Sequence, residues 1–321
     1  MTTKKQLPPQ QLHEPVNRAS NATGELHLPV LLGTVLELLS AKKGEKYLDL
    51  TAGYGGHARQ VIAAIGDARL ATLVDRDQNA INALDELAAR GARVIKSDYA
   101  TCAKQLSESG ELFDLILLDL GVSSPQLDNP ERGFSFSANG PLDMRMDQSA
   151  DRTAADLVNT LKRDELITII RNYGEEPQAA RIADAIVASR PFQTTAQLAE
   201  VIAKVYRYRG GRRKTHPATQ TFQALRIAVN RELEQLEQTL PLLPALLNPG
   251  GRVVIISFHS LEDRLVKRFF KEQQQAGLEA TMQLVTKKPI SGADEDVSNP
   301  RARSAKLRAA VKNKQEREVL P

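Results

Sequence analysis

The sequence is poor in cysteine and in aromatic residues, and these shortages exclude several kinds of protein. Cys102 is the only cysteine among 321 residues, which excludes an intramolecular disulfide and a thiolate metal cluster. Tryptophan is absent and aromatic residues make up 4% of the chain, so a core must be mainly aliphatic. The five histidines show no metal-ligand spacing, and we therefore predict no metal site.

Long apolar runs are also missing, which bears on location and partners. No run approaches the ~20 apolar residues of a membrane span, and residues 1–24 lack the apolar stretch of a signal peptide. We expect no membrane partner, a cytoplasmic location, and a disordered N-terminal tail over residues 1–24. A net charge of +4 and a pI near 9.1 permit a nucleic-acid partner without requiring one.

The stretch from Tyr47 to Arg59 has the pattern of a short strand, a glycine turn and the start of a helix. A second apolar strand follows and ends at Asp75. Glycines allow a sharp turn and a close approach of the backbone to a ligand, and the helix start offers free N–H groups. This arrangement is typical of a site for an adenosine-containing cofactor, either a nicotinamide dinucleotide or S-adenosylmethionine.

Apolar strands and amphipathic helices alternate over the first third of the chain. The alternation predicts an α/β fold with a doubly wound, mostly parallel, Rossmann-like sheet. Ligands bind such sheets at the carboxyl ends of the strands, and Asp49, the glycine turn, Asp75, Tyr99 and Asp119 all fall there.

The alternation stops after Asp119, and the next sheet pattern is Arg252–Ile256. The helical patterns between them predict an insertion into the α/β domain. The predicted division is residues 25–126 for the first part of that domain, 127–215 for the inserted helical domain that binds substrate RNA, 216–308 for the second part, and 309–321 for a flexible charged tail. We assign one long helix, from Thr219 to about Leu240, to the α/β domain.

Three side chains at the predicted sheet edge have two readings each. Asp75 could accept hydrogen bonds from ribose hydroxyls or cap the following helix. Asp49 could contact an ammonium group or brace the glycine turn. Tyr99 could pack on an adenine or belong to the core.

Asp119 opens a polar loop that favours methyl transfer. A carboxylate beside a bound amine can accept its N–H while the nitrogen attacks a sulfonium methyl group. A dehydrogenase needs His, Tyr or Lys beside the hydride path, and this loop offers none. Two alternatives stay open: a nicotinamide-dependent oxidoreductase, because Gly53-x-Gly55-x-x-Ala58 fits the dinucleotide pattern, and a non-catalytic RNA-binding protein that retains a vestigial cofactor fold.

Basic residues interleaved with aromatic ones run from Tyr206 to Lys214. Arginine and lysine neutralise phosphates and tyrosine stacks on unpaired bases, so this loop predicts RNA contact. The predicted RNA-binding residues are Arg207, Arg209, Arg212, Arg213 and Lys214, together with Arg301 and Arg303. His259, just after the fifth strand, is a second candidate for catalysis beside Asp119.

Several long strings resemble the bacterial 16S rRNA (cytosine-N4)-methyltransferase family, from about His27 to Arg308. They are Gly53–His57, Leu118–Gln126, Glu131–Phe136, Gly140–Asp147, His216–Arg226, Ile256–Arg264 and Asn299–Ser304. Ser124-Pro125-Gln126 departs from the Pro-Pro-aromatic motif of many amino-methyltransferases, so a platform for the base must come from elsewhere, with Phe134, Phe136 and Phe258 as candidates.

The resemblance implies a class I S-adenosylmethionine-dependent enzyme that methylates a cytidine in the decoding region of 16S rRNA. The implied cofactor is S-adenosyl-L-methionine, and the implied partner is 16S rRNA or the small ribosomal subunit, with no DNA expected. The residues implied to bind the cofactor are Gly55, Gly56, His57, Asp75, Tyr99, Asp119 and Gln126.

Overall fold

The computed structural model describes residues 29–207 and 215–313, so the predicted tail over residues 1–24 lies outside the described residues. One sheet runs through it, made of β1 (Tyr47–Asp49), β2 (Ala71–Asp75), β3 (Arg93–Lys96), β4 (Phe113–Asp119), β5 (Leu247–Ser257), β6 (Met282–Leu284), β7 (Ile290–Ser291) and β8 (Lys306–Lys312). The strand order is β3-β2-β1-β4-β5-β8-β6, with β7 also paired to β8.

Strands β1 to β5 are parallel to one another, and helices separate them in the chain. The predicted doubly wound, mostly parallel sheet is therefore confirmed. Both faces of the central strands are apolar and buried, as a sheet covered on both sides requires: Leu115 and Leu117 face one core, and Ile116 and Leu118 face the other.

The first core lies under α1 (Leu32–Leu39), α2 (Gly56–Ile65) and α4 (Asp85–Ala89), and α3 (Gln78–Ala83) lies between α2 and α4 in the chain. The second lies under α5 (Tyr99–Glu108), α12 (Glu232–Thr239), α13 (Leu243–Leu246) and α14 (Ser260–Gln275). None of the helices over the described ranges combines the length and the apolar character that crossing a membrane requires.

Strand β8 corrects the prediction that residues 309–321 form a flexible charged tail. It pairs antiparallel with β5 on one side and with β6 on the other, so residues as far as Lys312 belong to the sheet. Leu307 and Ala309 face the first core, and Ala310 faces the second. The sequence did not show this strand, because it combines small alanines with basic residues that suggest an exposed segment. Arg308 is in fact buried and donates to Asp263 Oδ1 at 2.8 Å. Residues 314–321 lie outside the described residues.

A third core belongs to the helical region between β4 and β5. Its helices are α6 (Ser124–Asp128), α7 (Ala154–Thr160), α8 (Arg163–Gly174), α9 (Ala179–Ser189), α10 (Thr195–Arg207) and α11 (Thr219–Asn230). The remaining short helix, α15 (Gly292–Glu295), lies between β7 and β8 and does not belong to this core. The buried apolar side chains of α7 to α10 pack on one another and on Phe222 and Leu225 of α11.

The predicted single helix from Thr219 to Leu240 is two helices. Arg231 has a left-handed backbone, with φ of 51°, and ends α11 before α12 begins. α11 packs with α8 in the helical core, whereas Leu236 of α12 packs on the sheet. Periodicity of apolar residues continues across the break, so the sequence did not reveal it. The domain limits at residues 126 and 216 stay a prediction.

Candidate active site

A cavity of about 520 Å³ opens at the carboxyl edge of the sheet, within the size range of small-ligand sites. Residues from the ends of β1, β2, β4 and β5 line it. Of the residues predicted to bind the cofactor, the cavity is lined by Gly56, His57, Asp75, Tyr99, Asp119 and Gln126. Gly55 lies behind this wall, as the residue before α2.

The three glycines of the turn differ in what a side chain would contact at their positions. A Cβ at Gly56 would lie 2.6 Å from Pro29 Cγ, and one at Gly55 would lie 2.7 Å from Arg59 Nη1. These two glycines therefore allow the turn to pack against its own protein. Gly53 is different, because the nearest atom to its Cβ position is the Thr51 carbonyl oxygen at 3.9 Å. Only here does the missing side chain leave room for a ligand.

Asp75 links the glycine turn to the start of α3. Its Oδ2 accepts from the Gly53 N–H and its Oδ1 from the Asp77 N–H, both at 2.8 Å. Burial raises the pKa of this carboxyl. The cap of α3 is Asp77, which accepts from the Asn79 N–H. Each Asp75 oxygen uses one acceptor position on the backbone and retains another for a hydroxyl group.

Tyr99 and Gln126 line the cavity with most of their polar atoms already bonded. The Tyr99 hydroxyl donates to the Glu232 carbonyl at 3.0 Å, and its ring packs against the second core. Gln126 Oε1 accepts from the Ser123 N–H at 2.9 Å, and its Nε2 donates to Asp77 Oδ2 at 2.9 Å. Gln126 therefore fixes the loop after β4 to the end of β2, whatever else it contacts.

Arg132 completes that connection and was not singled out in the sequence. It is 4% exposed, and its Nη1 donates to Asp77 Oδ2 at 2.7 Å. Its Nη2 donates to the carbonyls of Arg145 and Met146, both at 3.0 Å. A basic residue in the string Glu131–Phe136 was the only signal, and its buried partner is 55 positions away.

Asp49, the last residue of β1, is 1% exposed and accepts hydrogen bonds that hold the chain just before the glycine turn. Its Oδ2 accepts from the Tyr47 hydroxyl at 2.7 Å, and its Oδ1 accepts from the Thr51 N–H at 3.1 Å. Burial raises the pKa of Asp49 to about 6, although these bonds and the nearby His57 oppose the rise.

Asp119 and His57 meet in the cavity wall. His57 Nε2 lies 3.5 Å from Asp119 Oδ2, and the two side chains are 7% and 26% exposed, respectively. The Asp119 N–H donates to Thr51 Oγ1 at 2.6 Å, which anchors the end of β4 to the end of β1. Within residues 29–207 and 215–313, buried Asp119 Oδ1 and Ser123 Oγ have no hydrogen-bond partner, and neither ring nitrogen of His57 makes a hydrogen bond of normal geometry.

His259 begins α14 on the other side of the cavity. Its Nδ1 accepts from the Glu262 N–H at 3.4 Å, and its Nε2 lies 3.2 Å from Glu262 Oε1. Because Nδ1 is an acceptor, the neutral ring carries its hydrogen on Nε2, which makes that nitrogen a donor. This geometry gives His259 a capping role, and its catalytic role stays a prediction.

Glu232, His259 and Glu262 have ligand atoms within 4.8 Å of one another, close enough for a metal ion. However, Arg226 already binds both carboxylate oxygens of Glu232, at 2.8 and 2.9 Å. A guanidinium in that place competes with a cation, and the Nε2–H of His259 would have to leave. The cluster is better suited to hydrogen bonding than to metal binding.

Few of the predicted RNA-binding residues can be placed. Arg209, Arg212, Arg213 and Lys214 lie outside the described residues, and Arg207 is the last residue of α10. Arg301 lines the cavity and donates to Asp128 at 2.6 Å, and Arg303 is exposed close to it in the chain. The predicted RNA contacts stay predictions.

Of the three candidate platforms for a base, Phe258 lines the cavity. Phe134 is buried in the helical core under the Arg132 guanidinium, 5.7 Å from its centre. Phe136 packs on His216 and Phe222, with ring centroids 4.6 and 4.8 Å away. Phe258 therefore fits the role of platform best.

Comparison with known proteins gives one consistent result. The MraW methylase family matches residues 24–313 of the chain. Proteins called ribosomal RNA small subunit methyltransferase H are similar to it over most of their length. The protein from Cyanothece sp. is 51% identical over 290 residues, covering 89% of this chain and 94% of that protein. Those from Solidesulfovibrio magneticus and Carboxydothermus hydrogenoformans are 47% and 46% identical, covering 89% of this chain and 95% and 97% of theirs.

Proposed function

The chain belongs to the MraW methylase family, and from that premise we propose that it transfers the methyl group of S-adenosylmethionine to the exocyclic amine of a cytidine in the decoding region of 16S rRNA. The curated relatives are named for methylation of small-subunit ribosomal RNA, which supports the substrate class. The observation that carries the choice of chemistry is Asp119, a strand-end carboxylate that lines the cavity and whose Oδ1 has no partner among the described residues.

The cavity fits the cofactor. Asp75 retains acceptor positions for ribose hydroxyls, and Tyr99 lies one strand further along the same edge. At the other end, the first N–H groups of α2, on Gly56 and His57, precede the first intrahelical bond and suit the methionine carboxylate. Gly53 leaves the space between open. When bound, the cofactor supplies an electrophilic methyl group on a sulfonium.

Asp119 supplies the catalytic contact. Its carboxylate accepts one N–H of the amine and so holds the nitrogen lone pair in line with the methyl group. This nitrogen would receive the methyl group that the bound cofactor supplies, and S-adenosylhomocysteine would leave. The methylated nitrogen is then cationic and gives its proton to the same carboxylate. No base is needed before attack, which agrees with His259 acting as a cap.

The target base must leave its stack to reach this edge. Phe258 offers it a platform in the cavity wall, 3.5 Å from the Cβ position of Gly121 in the loop after β4. We assign RNA backbone contacts to Arg303, Arg301 and the basic segment from Arg207 to Lys214, and RNA positioning to the helical region 127–215. The partner is then 16S rRNA or the small ribosomal subunit.

The test is transfer of a labelled methyl group. We would incubate the protein with isotopically labelled S-adenosylmethionine and small ribosomal subunits that lack the modification, or the naked 16S rRNA. We would then digest the RNA and locate the label by mass spectrometry. We expect label on N4 of one cytidine, at a rate about a thousandfold lower with Asp119→Asn. Label on a ring carbon or a ribose would contradict the proposal.

Both alternatives make different predictions for the same protein. A nicotinamide-dependent oxidoreductase would bind a nicotinamide dinucleotide in calorimetry and leave S-adenosylmethionine unbound. A non-catalytic RNA-binding protein would bind RNA with no turnover, and Asp119→Asn would change nothing measurable.

A further inference from the structure

We propose that the His57 imidazole is a positioning residue for Asp119: its Nε2–H donates to Oδ2 and leaves Oδ1 directed at the amine that is methylated. This inference rests on the proposed function for the meaning of Asp119, but the contact itself concerns two side chains of this chain. It gives the His57 side chain a role beyond the backbone contact with the cofactor carboxylate.

The geometry supports a donor at this place. His57 Nε2 is 3.5 Å from Asp119 Oδ2, too poorly aligned for a hydrogen bond of normal geometry but close enough to form one, as catalytic contacts do when a site is filled. His57 is the second residue of α2, so the helix backbone fixes the position of its Cβ atom. The ring is nine-tenths buried, and neither nitrogen has another partner among the described residues. Buried polar atoms without partners are rare, and here they occur on two side chains that face each other, at His57 Nε2 and Asp119 Oδ1.

The two Asp119 oxygens therefore differ. Oδ2 faces the imidazole, whereas Oδ1 is buried and unbonded within the described residues. A carboxylate with one oxygen held by a donor cannot rotate freely about its Cβ–Cγ bond, so the other oxygen keeps a fixed direction. That direction is what an acceptor for the amine N–H needs.

The surrounding charges require a donor that can also balance negative charge. Asp49 and Tyr47 on β1 are the titratable groups on the neighbouring strand, and Asp49 and Asp119 repel each other. Thr51 occupies the Asp119 backbone N–H without bringing a charge. His57 is the cation-forming group in contact with the Asp119 carboxylate on the described part of the chain. Its loss would leave the Asp119 carboxylate beside Asp49 without the donor that faces Oδ2.

Two substitutions separate positioning from packing. His57→Gln places an amide N–H near the position of Nε2, whereas His57→Leu keeps most of the volume and removes the donor. We expect His57→Leu to lower kcat about 10- to 100-fold, the effect of one hydrogen bond to a charged group, with KM for RNA unchanged. His57→Gln should restore most of kcat.

The split between kcat and KM, together with rescue by His57→Gln, gives a readout that packing alone would not move. With the donor gone, the single-turnover rate should fall in His57→Leu while RNA affinity stays the same. Equal losses of kcat in the two variants would overturn the proposal, as would full activity in His57→Leu. Binding of S-adenosylhomocysteine by calorimetry and the melting temperature serve as folding controls.

A further measurement does not depend on turnover. In protein labelled with ¹⁵N-histidine, the His57 resonances, assigned by their loss in His57→Gln, should show hydrogen on Nε2. They should shift in Asp119→Asn more than the resonances of His216 and His259. If the tautomer is right and no cytidine is methylated, the proposed function fails and the contact stands. If cytidine is methylated and Asp119→Asn leaves His57 unchanged, the contact fails instead.

Discussion

Two polar clusters meet at the cavity, and they differ in how completely their atoms are bonded. Gln126 and Arg132 both donate to Asp77 Oδ2, and Arg132 also donates to two backbone carbonyls. Arg132 Nε is the one buried side-chain polar atom of this group without a partner in the described ranges. In the other cluster, His57 and Asp119 sit together with three buried atoms that lack hydrogen-bond partners over the same residues.

The difference separates the structural work of the site from its chemistry. A bonded buried network holds its loops in one arrangement and has little left to offer a ligand. Unbonded buried groups cost free energy of folding, so a protein retains them where something else satisfies them. The Asp77 cluster therefore has a structural role, and the Asp119 cluster retains hydrogen-bonding groups for the cofactor and the substrate.

Asp119→Asn tests the second cluster and should have the largest effect. The amide keeps the shape but presents an N–H where an acceptor is needed, so we expect methyl transfer to fall about a thousandfold. The melting temperature should not fall, because the lost carboxylate had no strong partner. Single-turnover transfer to 16S rRNA and a melting curve measure the two quantities. A loss of stability as large as the loss of rate would erase the distinction between the clusters.

Arg132→Met should produce the opposite pattern. It leaves Asp77 buried at 2% side-chain exposure without its cation, which should cost about 4 kcal/mol of unfolding free energy. Urea unfolding measures this cost, and any loss of activity should follow the unfolded fraction. Arg163→Met, which breaks an exposed pair with Asp184, is the matched control and should unfold like the parent. A stable but inactive Arg132→Met would place Arg132 in the chemistry.

Asp49 sharpens the comparison through pH. Its pKa is about 6 in the folded protein, against an ordinary value of 3.8. Below pH 4 the acid is protonated in both states and costs nothing, whereas from pH 4 to 6 the unfolded chain releases the proton and the folded one keeps it. The parent should therefore lose about 3 kcal/mol of stability relative to Asp49→Asn across that window. Urea unfolding of both proteins at pH 4 and pH 7 measures it, and a constant difference would refute the assignment.

Gly56→Ala should have the smallest effect of the four. The added Cβ would lie 2.6 Å from Pro29 Cγ, so the segment at Pro29 must move, at a cost of about 1–2 kcal/mol. Since Gly56 lines the cavity, affinity for S-adenosylhomocysteine should fall by a similar amount, as calorimetry would show. Gly33→Ala is the control, because nothing lies within 4 Å of its Cβ position and its backbone is not left-handed.

Much of the sheet and of its carboxyl edge could be predicted from the sequence, because strands, glycine turns and strand-end acids are local patterns. The strands β1 to β5 and the gathering of Asp75 and Asp119 at one edge followed from such patterns. The family strings pointed to the same residues.

What the sequence did not reveal depends on contacts between distant residues. Arg132 and Asp77 are unremarkable polar residues until the loop after β4 brings them to 2.7 Å. A Cβ at Gly56 would collide with Pro29, and no local sequence pattern indicates this contact. Strand β8 was concealed because the side chain of Arg308 reaches Asp263 instead of solvent.

The separation of β4 from β5 by the helical region bears on the order of folding. The two strands pair in parallel along the sheet, Leu115 with Arg252 and Asp119 with Ile256. If residues 120–246 were a flexible loop, closing it would cost about 4 kcal/mol in chain entropy. Helices that pack early bring the two ends closer and reduce that cost. We therefore expect the helical core to form before β5 joins the sheet, which makes it a folding scaffold for the cavity that it borders.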